Sequence, residues 1–192
     1  IIIAEEETLL ILGDSISAGY GINKKDNWVF LMQQKFYEEG KSIKLINSSV
    51  SGDTTGGGLG RLAKNLKKFN PDFVLIELGG NDALRGYSIN LIKSNLEKMI
   101  ALAKQNKSKV LLMQIRIPPN YGQKYTHAFE KIYVDLAQTE EVYLLPFMLE
   151  EIGINSELMQ PDGIHPNKKA QPQIAKEMKK NIDKFLLFNQ SN

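Results

Sequence analysis

Short aliphatic or β-branched runs recur along the chain, at Leu9 to Leu12, Ile43 to Ile46, Phe73 to Leu78, Val110 to Met113 and Val142 to Leu145. Between them, apolar residues fall three and four positions apart, the spacing that lines one face of a helix. Trp28, Leu31, Met32 and Phe36 make the first stripe, and Leu59, Leu62, Ala63, Leu66 and Phe69 the second. Ile89, Ile92, Leu96, Met99, Ile100 and Ala103 form a third, then Ala128, Phe129, Ile132, Tyr133 and Leu136, and finally Ala170, Ile174, Met178, Ile182 and Phe185. These stripes read as core. Asp26 is placed to cap the helix beginning at Trp28, Gly40 to end it, and Asn167 to cap the last helix, which Pro172 delays slightly.

Strands that alternate with helices and are almost continuously apolar predict a five-stranded, mostly parallel sheet covered on both faces, a three-layer α/β/α sandwich. No repeat, low-complexity segment or linker interrupts the pattern, so one domain over residues 1–192 is expected. A composition of 42% hydrophobic and 24% charged residues excludes a disordered or fibrous chain. The net charge is +2 and the lysines are dispersed; even "KKNIDK" reads as a solvated helix face, so no basic footprint for nucleic acid stands out. No apolar run reaches the ~18 to 20 residues a bilayer requires. The absence of cysteine rules out disulfides, thiolate metal sites and a cysteine nucleophile. The opening "IIIAEEET" has no Met, basic region or full apolar segment, which suggests a processed or trimmed chain.

In open parallel sheets the ligand site lies beyond the carboxyl ends of the strands. This sequence concentrates its chemistry there: "GDSIS" after the first run, "NSSVSGDT" after the second, "ELGGND" after the third, "QIRIPPNYG" after the fourth, and "MQPDGIHP" before the final helix. Acyl transfer needs a nucleophile, a base, an acid that orients the base, and donors aimed at the developing oxyanion. Ser15 is the candidate nucleophile, with a turn or cap serine as the plain alternative. Of the two histidines, His127 falls in the helical "YTHAFEKIYVDL" and reads as a surface or boundary residue. His165 follows Asp162 by three residues, with Gly163 allowing a bend and Pro166 stiffening the exit. That spacing lets the carboxylate hold Nδ1–H and leaves Nε2 to accept the serine proton. A capping Asp beside an exposed His is the alternative. The N–H groups of Ser15 and Gly52 and the Asn81 amide are candidate oxyanion donors, with Gly79 and Gly80 turning Asn81 inward; ordinary turns would look similar. A neutral base implies activity that falls as pH drops through the ordinary imidazole value of ~6.5.

Taken together, Ser15 in "GDSIS", Gly52 in "SGDT", Asn81 in "GGND" and His165 in "DGIHP" resemble the four ordered blocks of the SGNH (GDSL) hydrolase family, with Asp162 in the third triad position. The likeness runs through "LLMQIRIPPNYG", "LLPFMLEEIG" and "DGIHPNKKAQPQIA", nearly the whole chain. It implies a flavodoxin-like sandwich, no metal and no cofactor. The substrates it implies are short- to medium-chain acyl or aryl esters, acyl thioesters or lysophospholipids, with no nucleic-acid partner and no stable membrane insertion. It also implies export to the periplasm or beyond. A substrate loop is expected at "ALRGYS", with Ala83, Leu84 and Tyr87 on the acyl chain or merely covering the sheet edge. Arg116, Pro118 and Pro119 would line the same groove, unless Arg116 is paired structurally. Gly56-Gly57-Gly58 departs from the expected polar stretch and suggests a loosened pocket. The near-fingerprint "GLGRLA" is discounted as a dinucleotide site because it comes a dozen residues after its strand. Two other readings compete: a phosphoesterase using Asp14, Asp53, Asp82 and His165 as metal ligands, and a module binding a nucleotide or sugar. The histidine spacing makes the first a poor metal inventory. No G-x-S-x-G elbow is present, so the common α/β-hydrolase design does not apply.

Overall fold

The computed structural model describes residues 6–190. Its five strands, β1 (Glu7–Gly13), β2 (Ile43–Asn47), β3 (Phe73–Glu77), β4 (Lys109–Met113) and β5 (Tyr143–Leu145), lie in the order β2-β1-β3-β4-β5. Every pairing is parallel. All five residues of β3 are buried, as are the last five of β1, which is why these runs carry no polar alternation. The helices are α1 (Ser15–Ala18), α2 (Trp28–Glu38), α3 (Thr55–Phe69), α4 (Gly80–Leu84), α5 (Ile89–Gln105), α6 (Gln123–Thr139) and α7 (Gln171–Gln190). α2 packs on α7, while α3, α5 and α6 pack side by side. Leu10, Ile11, Leu12, Leu75, Ile76, Leu111 and Leu112 are wholly buried in the sheet, and Trp28, Phe36, Phe129 and Tyr133 fill the space beneath the helices. Each such side chain stabilises the fold by about 1.5–3 kcal/mol relative to exposure. Among the described residues no helix is long and apolar enough to cross a membrane. The odd N-terminal stretch falls largely on residues 1–5, outside the described residues.

Two local expectations change. The cap of α2 is Asn27, not Asp26: Asn27 Oδ1 accepts from Val29 N–H at 2.8 Å while its Nδ2 donates to Ser17 O at 3.1 Å. A carboxylate cannot do both, because it has no donor. Asp26 instead ends a short 3₁₀ turn and pairs with Lys168 at 3.0 Å. The Gly56-Gly57-Gly58 run is not a loose loop. It forms the first turn of α3, capped by the Thr54 hydroxyl, which accepts from Gly57 N–H. Gly58 is buried so tightly that a Cβ there would stand 2.2 Å from Leu78 Cδ1. Asn167 does cap the approach to α7, accepting from Lys169 N–H at 2.9 Å, and Pro172 occupies the first turn of that helix.

Candidate active site

β1 stops at Gly13 because the chain turns at once into α1, and Asp14 caps that turn by accepting from Ile16 N–H at 3.0 Å. Ser15 is therefore the first residue of a four-residue helix whose own ladder does not use its N–H. On the far side, the loop before α7 folds around Asp162. Its Oδ1 accepts from the N–H groups of Ile164 at 2.9 Å and His165 at 3.0 Å. Oδ2 lies 2.6 Å from His165 Nδ1, and His165 Nε2 lies 2.9 Å from Ser15 Oγ. The His165 backbone N–H, with the imidazole behind it, holds the Asp162 carboxyl down to about 2. An ionised Asp162 can only accept, so Nδ1 carries the proton and Nε2 is free to take one from Ser15.

A second set of groups comes from the segments that follow β2 and β3. Gly52 has φ +79°, and open space where a side chain would stand; its carbonyl accepts from Arg85 Nη2 at 3.2 Å. Asn81 reaches back from α4, its Nδ2 donating to Asp53 O at 2.9 Å and Asp14 Oδ2 at 3.3 Å. The turn that aims it depends on Gly79, with φ +121° and the Tyr133 hydroxyl only 2.0 Å from where a Cβ would sit. That hydroxyl donates to Leu78 O at 2.8 Å. A hydroxyl with its proton acceptor thus stands at the end of β1, and the Asn81 amide, coming from the end of β3, reaches the carboxylate of the residue before Ser15.

Two supporting acids escape a reading by motif. Asp82, treated in the sequence only as a rival's metal ligand, is fully buried. It accepts from Thr55 N–H at 2.8 Å and from the Thr55 hydroxyl at 2.6 Å, tying α4 to the start of α3 and so Asn81 to the loop that carries Gly52. Burial pushes its carboxyl up. Glu77, the last residue of β3, accepts from the Ser17 hydroxyl at 2.6 Å and from Asp14 N–H at 3.4 Å. Burial pushes Asp14 up to about 6 and Glu77 well above the usual carboxylate range. A glutamate closing the apolar run "FVLIE" was the available signal.

The expected substrate contacts divide. Tyr87 is 38% exposed and its carbonyl accepts from the Tyr125 hydroxyl at 2.6 Å; Leu84 is half-buried. Ala83 faces the core and is fully buried, because α4 turns that side inward, so it is corrected from groove to core. Arg116 pairs with Glu150 at 3.1 Å, the structural alternative, while Pro118 and Pro119 are exposed. An open cleft of about 500 Å³ lined by Ile89, Tyr121, Tyr125 and Ala128 begins where the 83–88 loop ends; Ser15 and His165 are not part of it. His127 is exposed on α6. Of the rival metal ligands, Asp53 is paired with Arg61 at 2.7 Å and Asp82 with Thr55, and among the described residues no three such groups converge. "GLGRLA" lies within α3.

A parallel sheet of this order, with Ser, Gly, Asn and His delivered in sequence to its carboxyl edge, defines a GDSL-type hydrolase. The profile of the GDSL-like lipase/acylhydrolase family matches residues 11–171, and the chain belongs to that family. An arylesterase of Vibrio mimicus is 48% identical over 180 residues, 94% of this chain and 90% of its own length. Thioesterase 1/protease 1/lysophospholipase L1 of Escherichia coli K12 is 45% identical over 179 residues, 93% of this chain and 85% of its own. The psychrotrophic esterase EstA of Pseudoalteromonas sp., solved as inhibited by monoethylphosphonate, superposes with a TM-score of 0.92 at 43% identity, covering 94% of this chain and 98% of that one.

Proposed function

We propose that this single-domain chain is a serine esterase and thioesterase working through an acyl-enzyme. Ser15 Oγ bonds to the acyl carbon as its proton passes to His165 Nε2. The Ser15 and Gly52 N–H groups and the Asn81 amide receive the negative oxygen, for which Asn81 gives up its longer bond, that to Asp14. Collapse breaks the bond to the alcohol or thiol, which leaves with the His165 proton. Water, deprotonated by the same imidazole, then releases the acid and restores Ser15. The observation that carries this reading is the imidazole engaged at both nitrogens, 2.6 Å from a carboxylate and 2.9 Å from a hydroxyl.

The names of the relatives support small acyl or aryl esters, acyl thioesters and lysophospholipids as substrates, with Leu84, Tyr87 and Pro118 bordering the acyl chain. Location in the periplasm or outside the cell completes the proposal, and fractionation of the native host tests it. A fluorophosphonate probe is expected to label the wild type and leave Ser15→Ala unlabelled; a labelled Ser15→Ala would overturn the reading. A panel of p-nitrophenyl esters of graded length, run beside an acyl-CoA and a lysophospholipid, ranks the substrates. Asn81→Ala is expected to lower kcat about 10²- to 10³-fold with KM little changed, since its donor acts on the oxyanion more than on the bound ester.

A further inference from the structure

Tyr20 belongs to none of the four blocks, yet it touches both halves of the Ser15–His165 pair. It follows Gly19, which ends α1, and its N–H donates to the carbonyl of Ser15 at 3.0 Å. Its ring lies against the imidazole of His165, with centroids 4.5 Å apart and planes 38° from parallel. The residue is nevertheless 53% exposed, so burial alone does not explain its position. What holds the Tyr20 backbone there is Gln160. The Gln160 N–H donates to His165 O at 2.7 Å, and its side-chain Nε2 donates to Tyr20 O at 2.8 Å and Pro166 O at 3.1 Å. The next residue must be glycine for this clasp to close, because a Cβ on Gly21 would stand 2.7 Å from Gln160 Oε1. One side chain thus sews the loop after the nucleophile to the loop that carries the base.

We propose that Tyr20 is a positioning residue whose ring, carried to His165 by a backbone that Gln160 holds at the Tyr20 carbonyl, favours the imidazolium formed each time His165 takes a proton. The inference rests on the serine-hydrolase reading above. The physical basis is the negative face of the aromatic ring, which attracts a cation held within about 6 Å. Among the described residues, the imidazole meets Asp162 at Nδ1, Ser15 at Nε2, the Asp14 carboxylate through its charge, and the Tyr20 ring. Of these, the Tyr20 ring is uncharged and lies outside the proton path, so it can be changed without adding or removing a charge or a proton carrier.

The test compares Tyr20→Phe and Tyr20→Leu in the full chain, with rates expressed per active site titrated by the fluorophosphonate probe so that any misfolded fraction drops out. Each is assayed on a p-nitrophenyl and an ethyl ester of the same acid. Tyr20→Phe keeps the ring face and is expected to stay within about twofold of wild type, whereas Tyr20→Leu should lose about three- to tenfold in kcat/KM. Because His165 serves every leaving group and the attacking water alike, the Leu loss should be equal for both esters and reappear in hydrolysis of the acyl-enzyme. The acid limb of the kcat/KM profile should also move to lower pH in Tyr20→Leu, as removing the ring makes the charged imidazole less favourable. Wild-type activity in Tyr20→Leu overturns the proposal, as does an equal loss in Tyr20→Phe, which would assign the effect to the hydroxyl. A loss confined to the p-nitrophenyl ester also overturns it, by making Tyr20 a contact for the leaving group. Labelling of Ser15→Ala would instead bring down the reading beneath it.

Discussion

His165→Ala is expected to lower kcat by about 10⁴- to 10⁶-fold, Asp162→Ala by about 10⁴-fold, and the double variant by no more than His165→Ala alone. The hydrogen bonds run in series, Asp162 to Nδ1 and Nε2 to Ser15, so once the imidazole is gone the carboxylate has nothing left to orient. Both side chains sit on a loop outside the main core, but Asp162 also accepts from the N–H groups of Ile164 and His165, so Asp162→Ala should lower the melting temperature somewhat while His165→Ala leaves it nearly unchanged. Steady-state rates on a p-nitrophenyl ester with melting curves alongside check this. Losses that multiply in the double variant would mean that Asp162 acts on the substrate by another route.

Glu77→Ala is expected to cost about 3–5 kcal/mol of stability, whereas Glu77→Gln should be close to neutral at mildly acidic pH. Alanine leaves the Ser17 hydroxyl and the Asp14 N–H without their acceptor in a site only 2% exposed at Glu77, and opens a cavity. Glutamine keeps an accepting oxygen and adds a donor that can face Asp14, as a protonated glutamic acid would. The two variants also differ with pH. Burial raises both carboxyls above their unfolded values, so between about pH 4 and the folded values the native chain holds protons the unfolded chain has lost. Stability contributed by this pair therefore falls as pH rises, through about 6 for Asp14 and further for Glu77. Glu77→Gln removes the Glu77 share, so its advantage over wild type in urea unfolding should grow from about pH 5 to about pH 8. An advantage that shrinks over that range would show Glu77 to be ionised in the folded chain.

The strands and helix stripes are legible in the sequence because burial imposes its own spacing: β3 is buried at every position and reads as an unbroken apolar run. The blocks around Ser15, Gly52, Asn81 and His165 are legible for a different reason, since each pairs a turn-forming residue with a reactive group. What escapes is whatever depends on a partner far along the chain. Asp82 finds Thr55, Glu77 finds Ser17 and Tyr20 finds His165, at separations no local pattern encodes. The Gly56-Gly57-Gly58 run illustrates the opposite error. Three glycines suggest freedom until Leu78 is seen filling the space beside Gly58. Asp26 and Asn27 are equally good caps by composition, and only the carbonyl of Ser17, ten residues back from Asn27, decides between them.

The hydroxyl and the imidazole that meet at 2.9 Å are separated by 150 positions along the polypeptide. A chain emerging from the ribosome therefore displays its serine long before the group that would activate it has been synthesised. The loop bearing Asp162 and His165 is anchored by α7, whose first residue, Gln171, reaches across to accept from the N–H of Trp28 at 3.0 Å. Activation of Ser15 therefore waits until the segment carrying Asp162 and His165 has been made and α7 has docked on α2.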